Sequence, residues 1–94
     1  MKAAVRLQNV KDNWETQRGE LDDALTFNRK LWVILTTSAT SADNPLPVTV
    51  KESIGSLGLF VFKHTISVLA NPAPERLNIL INVNRDIAAG LRGR

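Results

Sequence analysis

The sequence predicts an all-α fold, a small bundle of about four helices that forms a single domain over residues 1–94. Apolar residues recur at spacings of three and four along most of the chain, which is the period of a helix. The four prolines lie between these periodic segments, where they end or begin helices. The chain has no cysteine, so neither a disulfide nor a thiolate metal site contributes to the fold.

The first predicted helix covers residues 2–17. Ala3, Leu7, Val10 and Trp14 form a narrow apolar seam of the kind that two packed helices share. Gly19 then breaks or kinks the helix, because glycine is a common C-terminal stop. The alternative is one long bent helix over residues 2–37, in which helices one and two are continuous.

The second predicted helix covers residues 20–40. Acidic residues in its first turn, Asp22 and Asp23 among them, favour the positive end of the helix dipole. Pro45 marks a firm end to this segment, since the residue before a proline avoids the helical conformation.

The third predicted helix covers residues 47–70 and is apolar over a wide arc, which is typical of the buried centre of a fold. Gly55 and Gly58 lie inside that arc and would let another helix approach closely. A strand over residues 57–62 is the weaker alternative, because no partner strand is visible. Pro74 fits the first turn of a fourth helix over residues 74–90.

No catalytic constellation is visible, so we expect the protein not to be an enzyme and to carry no metal or cofactor. The single histidine, His64, borders a polar helix face, and Asp22 and Asp23 point to different sides of their helix. The net charge of +3 is spread over the chain, which does not favour direct nucleic-acid binding. The sequence shows no secretory signal, and its longest nearly uncharged stretch, residues 53–62, is shorter than a membrane span. We therefore expect a cytoplasmic protein without a membrane partner.

Two Asn-Arg pairs, Asn28-Arg29 and Asn84-Arg85, place an asparagine inside an apolar helical stripe. A buried amide needs a hydrogen-bond partner. One interpretation is that each asparagine bonds a neighbouring helix and fixes its register, as a single buried asparagine does in coiled coils. The alternative is that both amides line a groove and meet the backbone of a partner.

The helices also carry more apolar surface than one narrow stripe each. The residues outside the main stripes are Phe27, Leu31 and Ile34 on helix two, Phe60 on helix three, and Ile79 and Val83 on helix four. They either complete wide core faces or form the wall of a groove for an amphipathic helix or a homodimer face. We take these six residues as candidate partner-binding residues.

Four segments, in this order and spacing, resemble the flagellar biosynthesis regulator FlaF family of alphaproteobacteria. They are Phe27 to Trp32, Asn44 to Pro47, Ser56 to Val61, and Leu77 to Leu91. Asn28, Arg29, Trp32, Asn84 and Arg85 are the most distinctive residues of the similarity, which covers residues 21–91. Members of the family are expected to have a longer N-terminal region than residues 1–19 provide.

The resemblance implies a small cytoplasmic, non-enzymatic protein that is required for flagellin production. It implies that flagellin is a partner, bound before export in the manner of a secretion chaperone, and that a second regulator, FlbT, is a further partner. An alternative function is post-transcriptional, by contact with flagellin messenger RNA directly or through FlbT. A homodimer is compatible with either function.

Overall fold

The computed structural model describes residues 2–91, and every regular element in that range is helical. The order is α1 (Lys2–Asp12), α2 (Trp14–Gln17), a 3₁₀ turn (Arg18–Glu20), α3 (Leu21–Thr40), α4 (Val48–Ala70), a second 3₁₀ turn (Pro74–Leu77) and α5 (Asn78–Leu91). The predicted small all-α bundle is therefore confirmed. Helix α4 runs through residues 57–62, so the strand alternative for that stretch is wrong.

A bend at Asn13 interrupts predicted helix one, since this is the single residue between α1 and α2 that is not helical. The 3₁₀ turn Arg18–Glu20, which contains Gly19, then joins the segment to α3. The Asn13 side chain donates to the Asn9 carbonyl oxygen at 3.0 Å, and its own carbonyl accepts from the backbone N–H of Gln17 at 2.7 Å. The bend satisfies the backbone groups that a broken helix leaves free. Because α1 packs against α3, the joined segment folds back on itself as a hairpin.

The core lies where α1 meets α3 and α5, and α4 packs along α3 from the other side. Its largest fully buried apolar side chains are Trp32, Leu7, Leu25, Leu77, Leu80, Val61 and Val68. The Cα radius of gyration is 13.8 Å, with extents of 44 × 27 × 17 Å. A compact chain of this length would have a radius of about 12 Å. The bundle is therefore elongated, and its helices keep free sides.

Helix α4 is not the buried centre that its composition predicted, because it lies at one side of the bundle. Its buried stripe, Ile54, Gly58, Val61, Thr65 and Val68, faces α3, while Leu59, Ile66 and other large apolar residues are exposed. Within residues 2–91, α4 is also the one helix long and apolar enough to meet the length and composition of a membrane span. The uncharged stretch of residues 53–62 is shorter than the apolar helix α4, because isolated charged residues interrupt the helix on both sides of that stretch.

Gly55 and Gly58, both predicted to let another helix approach closely, differ in the space that a Cβ would have. A Cβ on Gly58 would overlap the Cγ2 methyl of Thr36 on α3, so the helices approach there as closely as a glycine permits. A Cβ on Gly55 would make only an ordinary contact, 3.9 Å from Thr40 Cγ2. The packing of α4 on α3 thus requires Gly58 and not Gly55.

Candidate binding groove and its polar support

A buried chain of hydrogen bonds links α3 to α5. Trp32 Nε1 donates to Asn84 Oδ1 at 2.7 Å, and Asn84 Nδ2 donates to Asn28 Oδ1 at 2.7 Å. All three side chains are fully buried. The indole N–H can only donate, which fixes the orientation of the Asn84 amide and, through it, that of the Asn28 amide.

This chain of bonds holds α5 in one register on α3, since sliding by a single residue would separate all three groups. Burial leaves neither amide open to a partner's backbone. Among residues 2–91, the Asn28 Nδ2 donor has no hydrogen-bond partner. The adjoining arginines both lie on the surface, where Arg85 donates to Gln8 Oε1 of α1 at 3.1 Å and Arg29 is exposed.

A second polar contact anchors the start of α5 to α4. His64 Nε2 lies 2.8 Å from the Arg76 carbonyl oxygen, and a carbonyl only accepts, so this nitrogen carries the hydrogen. The Arg76 guanidinium donates to Ser67 Oγ on the same helix as His64. His64 therefore has a structural partner. Residues 2–91 contain no group of three metal-ligating side chains.

An apolar groove of about 430 Å³ opens between α3, α4 and α5. Its walls are Leu35 of α3, Val50, Ile54 and Leu57 of α4, Ile87 and Gly90 of α5, and Leu46 of the connection before α4; Thr49, Ser53 and Asp86 supply its polar atoms. Leu35 lies one helical turn beyond Trp32, and Ile87 lies one turn beyond Asn84. The buried polar chain therefore sets the spacing of two groove walls.

None of the six candidate partner-binding residues lines this groove. Ile34 and Ile79 are exposed, whereas Leu31 is half-buried and Val83 packs partly against the core. Phe27 lies beneath the Arg6 guanidinium of α1, 5.0 Å from its ring centroid, and Phe60 is exposed and stacks on His64 with centroids 5.8 Å apart. The structure assigns Phe27 to the α1 side of α3 and Phe60 to the outer part of α4.

The groove residues belong to main apolar stripes, and for that reason single-helix patterns did not separate them from the core. Leu35, Leu57 and Ile87 are only half-buried, and they pack against the edge of the core. The one sequence signal outside a helix is Leu46, an apolar residue between two prolines.

The fold and the groove define a small all-α bundle with an open apolar surface between three helices. The chain belongs to a family described as "Flagellar protein FlaF", whose model matches residues 1–91. This is a family of flagellar proteins and is not known as a family of enzymes. The match also takes in residues 1–20, which lie before the segments that carried the resemblance. No curated protein and no solved structure matches the chain.

Proposed function

We propose that this protein is a non-enzymatic regulator of flagellum biosynthesis that acts in the cytoplasm and is required for flagellin production. It binds flagellin before export, as a secretion chaperone or adaptor, and seats an amphipathic helix of flagellin in the groove between α3, α4 and α5. Family membership supports the flagellar role. The single observation that carries the binding mode is the apolar lining of the groove.

The groove suits a helix better than a polar ligand. Leu35, Leu57 and Ile87 offer apolar contact from three different helices, and most of the other lining residues are also apolar. An amphipathic helix presents apolar side chains at spacings of three and four, which enter such a groove as anchors. Burial of those anchors drives association, because it removes apolar surface of both partners from water.

Val50→Asp tests the groove directly. Val50 lines the groove but is exposed, so a carboxylate there leaves the core intact and would be desolvated only when a partner helix binds. We expect the variant to lose at least about 90% of flagellin co-purification, since a buried unpaired charge costs well over the ~1.4 kcal/mol of a tenfold change in affinity. Val5→Asp on α1 is the matched control, because Val5 is exposed and lies outside the groove.

Ile34→Asp tests the second surface, the flank of α3 that also carries Phe27 and Leu31. Ile34 is exposed, so this variant folds, and circular dichroism verifies that. Loss of flagellin in Ile34→Asp with retention in Val50→Asp would move the binding site from the groove to the α3 flank. Retention in both variants would contradict an apolar binding site on either surface.

Purified FlbT and flagellin messenger RNA, each added alone, distinguish the post-transcriptional alternative. Binding of flagellin, with no binding of the messenger RNA, supports the chaperone function. Binding of the message, with an affinity that falls steeply with salt, would replace it with the regulatory one.

A further inference from the structure

Helix α4 carries an exposed apolar row that no element of the described chain covers. The row consists of Leu59, Phe62, Ile66 and Leu69, of which Phe62 is half-buried and the others are exposed. Only Phe62 packs partly against the core. The row lies on a different side of α4 from both the stripe that faces α3 and the residues that line the groove.

The row continues over the whole helix with coiled-coil spacing. Steps of four and three alternate through the seam, which we define as Val48, Glu52, Gly55, Leu59, Phe62, Ile66 and Leu69. This alternation keeps the same side of a helix against a partner helix over several turns. The α3 partner is accounted for by another stripe, so the seam fits a further helix.

The seam is self-complementary in the antiparallel direction. With a two-fold axis at Leu59, this residue meets its own copy. Val48 then meets Leu69, Gly55 meets Phe62, and Glu52 lies opposite Ile66. A phenyl ring thus faces a position that has no side chain. Gly55 is not needed for the packing of α4 on α3, because a Cβ there would lie 3.9 Å from its nearest neighbour. The packing of Phe62 of one copy against Gly55 of the other gives this glycine a role.

The charges beside the seam favour the same arrangement. Glu52, within the seam, and Lys63, beside it, lie toward the same edge of α4, and both are exposed. A two-fold axis across antiparallel helices brings like edges together, so Glu52 of one copy lies within reach of Lys63 of the other. A parallel pair would instead place Glu52 against Glu52, which is repulsive.

We propose that the α4 seam binds a second copy of this chain, forming an antiparallel two-fold dimer. The interface is isologous, as is usual for homodimers. Because the seam and the groove occupy different sides of α4, each dimer carries two open grooves.

Sedimentation equilibrium of the full chain tests the dimer. We expect twice the monomer mass of 10.4 kDa. Ile66→Asp should return the protein to the monomer mass, with a dissociation constant raised at least about 100-fold, because the new carboxylate would be buried opposite Glu52 of the other copy. Ile34→Asp is the control, since Ile34 and Ile66 are both 67% exposed and Ile34 lies outside the seam. A monomeric wild type, or an Ile66→Asp variant that stays dimeric, overturns the proposal.

Cysteine variants and charge variants test the direction of the pair. The chain has no cysteine, so Leu59→Cys introduces a single thiol, and we expect oxidation to link two chains through it. Val48→Cys should remain unlinked, because Val48 would meet its own copy only in a parallel pair, and Ile34→Cys should remain unlinked because Ile34 lies outside the seam. Glu52→Lys should weaken the dimer, and the double variant with Lys63→Glu should restore it. Unlinked Leu59→Cys, or no restoration by the double variant, contradicts the antiparallel register.

The length and hydropathy of α4 make a lipid surface the competing occupant of this face. A lipid surface would be assigned to the seam by three results together: the wild type sediments as a monomer, it floats with vesicles of phosphatidylcholine and phosphatidylglycerol, and Ile66→Asp does not float. That outcome would overturn the dimer. Dimers that do not float support it.

Discussion

At the residue scale, three buried polar side chains hold α5 in one register on α3. Trp32, Asn84 and Asn28 form a directional series in which each donor finds an acceptor until the last. The Asn28 Nδ2 group ends the series without a partner among residues 2–91. Partly satisfied networks of this kind are costly to disturb, since every remaining member loses its compensation for burial.

Replacing Asn84 with leucine should lower the free energy of unfolding by about 2–4 kcal/mol. The substitution leaves the Trp32 indole N–H and the Asn28 carbonyl oxygen buried without partners, and each orphaned group costs about 1–3 kcal/mol. Urea unfolding followed by far-ultraviolet circular dichroism measures the change. Asn82→Leu on the exposed side of α5 is the control and should stay within about 0.5 kcal/mol of wild type. Equal stabilities for the two variants would show that the hydrogen-bond series contributes nothing net.

At the element scale, α3 and α4 pack closely over Gly58 and loosely over Gly55. Thr36 lies over Gly58, and its hydroxyl donates to the Trp32 carbonyl oxygen at 2.8 Å, which holds its methyl group toward Gly58. A β-branched side chain has few alternative rotamers in a helix, so this methyl cannot easily turn away. The spacing between α3 and α4 is thus set by the fixed methyl group of Thr36 and by the absence of a side chain at Gly58.

Two alanine substitutions in α4 should therefore have opposite signs. Gly58→Ala should destabilise the protein by about 1–3 kcal/mol, because overpacking forces the helices apart by more than helix propensity returns. Gly55→Ala, measured in the monomeric Ile66→Asp background, should stabilise it by up to about 1 kcal/mol, since alanine is the better helix former and its Cβ would lie 3.9 Å from its nearest neighbour in the same chain. Thermal unfolding of both variants at one protein concentration separates the two effects. Stabilisation by Gly58→Ala would show that Thr36 yields at little cost.

Much of each element follows from local sequence. Pro47 and Pro74 mark the starts of α4 and of the turn before α5 to within a residue, and Asp22 and Asp23 lie in the first turn of α3 as expected. The break at Asn13 was not predicted. Nothing in the apolar period changes there, and it is the contact of α1 with α3 that requires the chain to turn. Tertiary packing, and not propensity, places this bend.

The groove was harder to predict than the helices because its walls come from three of them. Leu35, Leu57 and Ile87 look like core residues on their own helices. They become half-exposed only because α1 takes the central place beside α3 and α5, while α4 lies to the side. A helical wheel contains no information about which neighbour occupies which side. The burial of Asn28 and Asn84 in apolar stripes, by contrast, is visible on a single wheel.

At the scale of the whole molecule, α1 joins the two helices that the polar series connects. It packs on α3, on α5 and on the turn before α5, so it completes the core instead of extending from it. Leu7 is fully buried within that contact. The family match likewise includes this helix.

Truncating Leu7 to alanine should therefore lower stability by about 2–5 kcal/mol, which is a large share of the 5–15 kcal/mol typical of a domain. Urea unfolding at a fixed protein concentration measures the loss. Val5→Ala on the exposed side of α1 is the matched control and should stay within about 0.5 kcal/mol of wild type. If both variants have the same stability to urea, α1 contributes little to the core, and the core consists of α3 and α5 alone.

The contrasting settings of Trp14 and Trp32, the chain's two tryptophans, have a spectroscopic consequence. Trp32 is sealed from water with its N–H bonded to an amide, whereas Trp14 is half-buried at the bend, with the Arg18 guanidinium 5.5 Å from its ring centroid. Their emission should differ, short-wavelength light coming from Trp32 and longer-wavelength light from Trp14. A Trp14→Phe variant would thus leave one natural fluorophore, one helical turn from the groove wall at Leu35. Its signal would report groove occupancy without any added label.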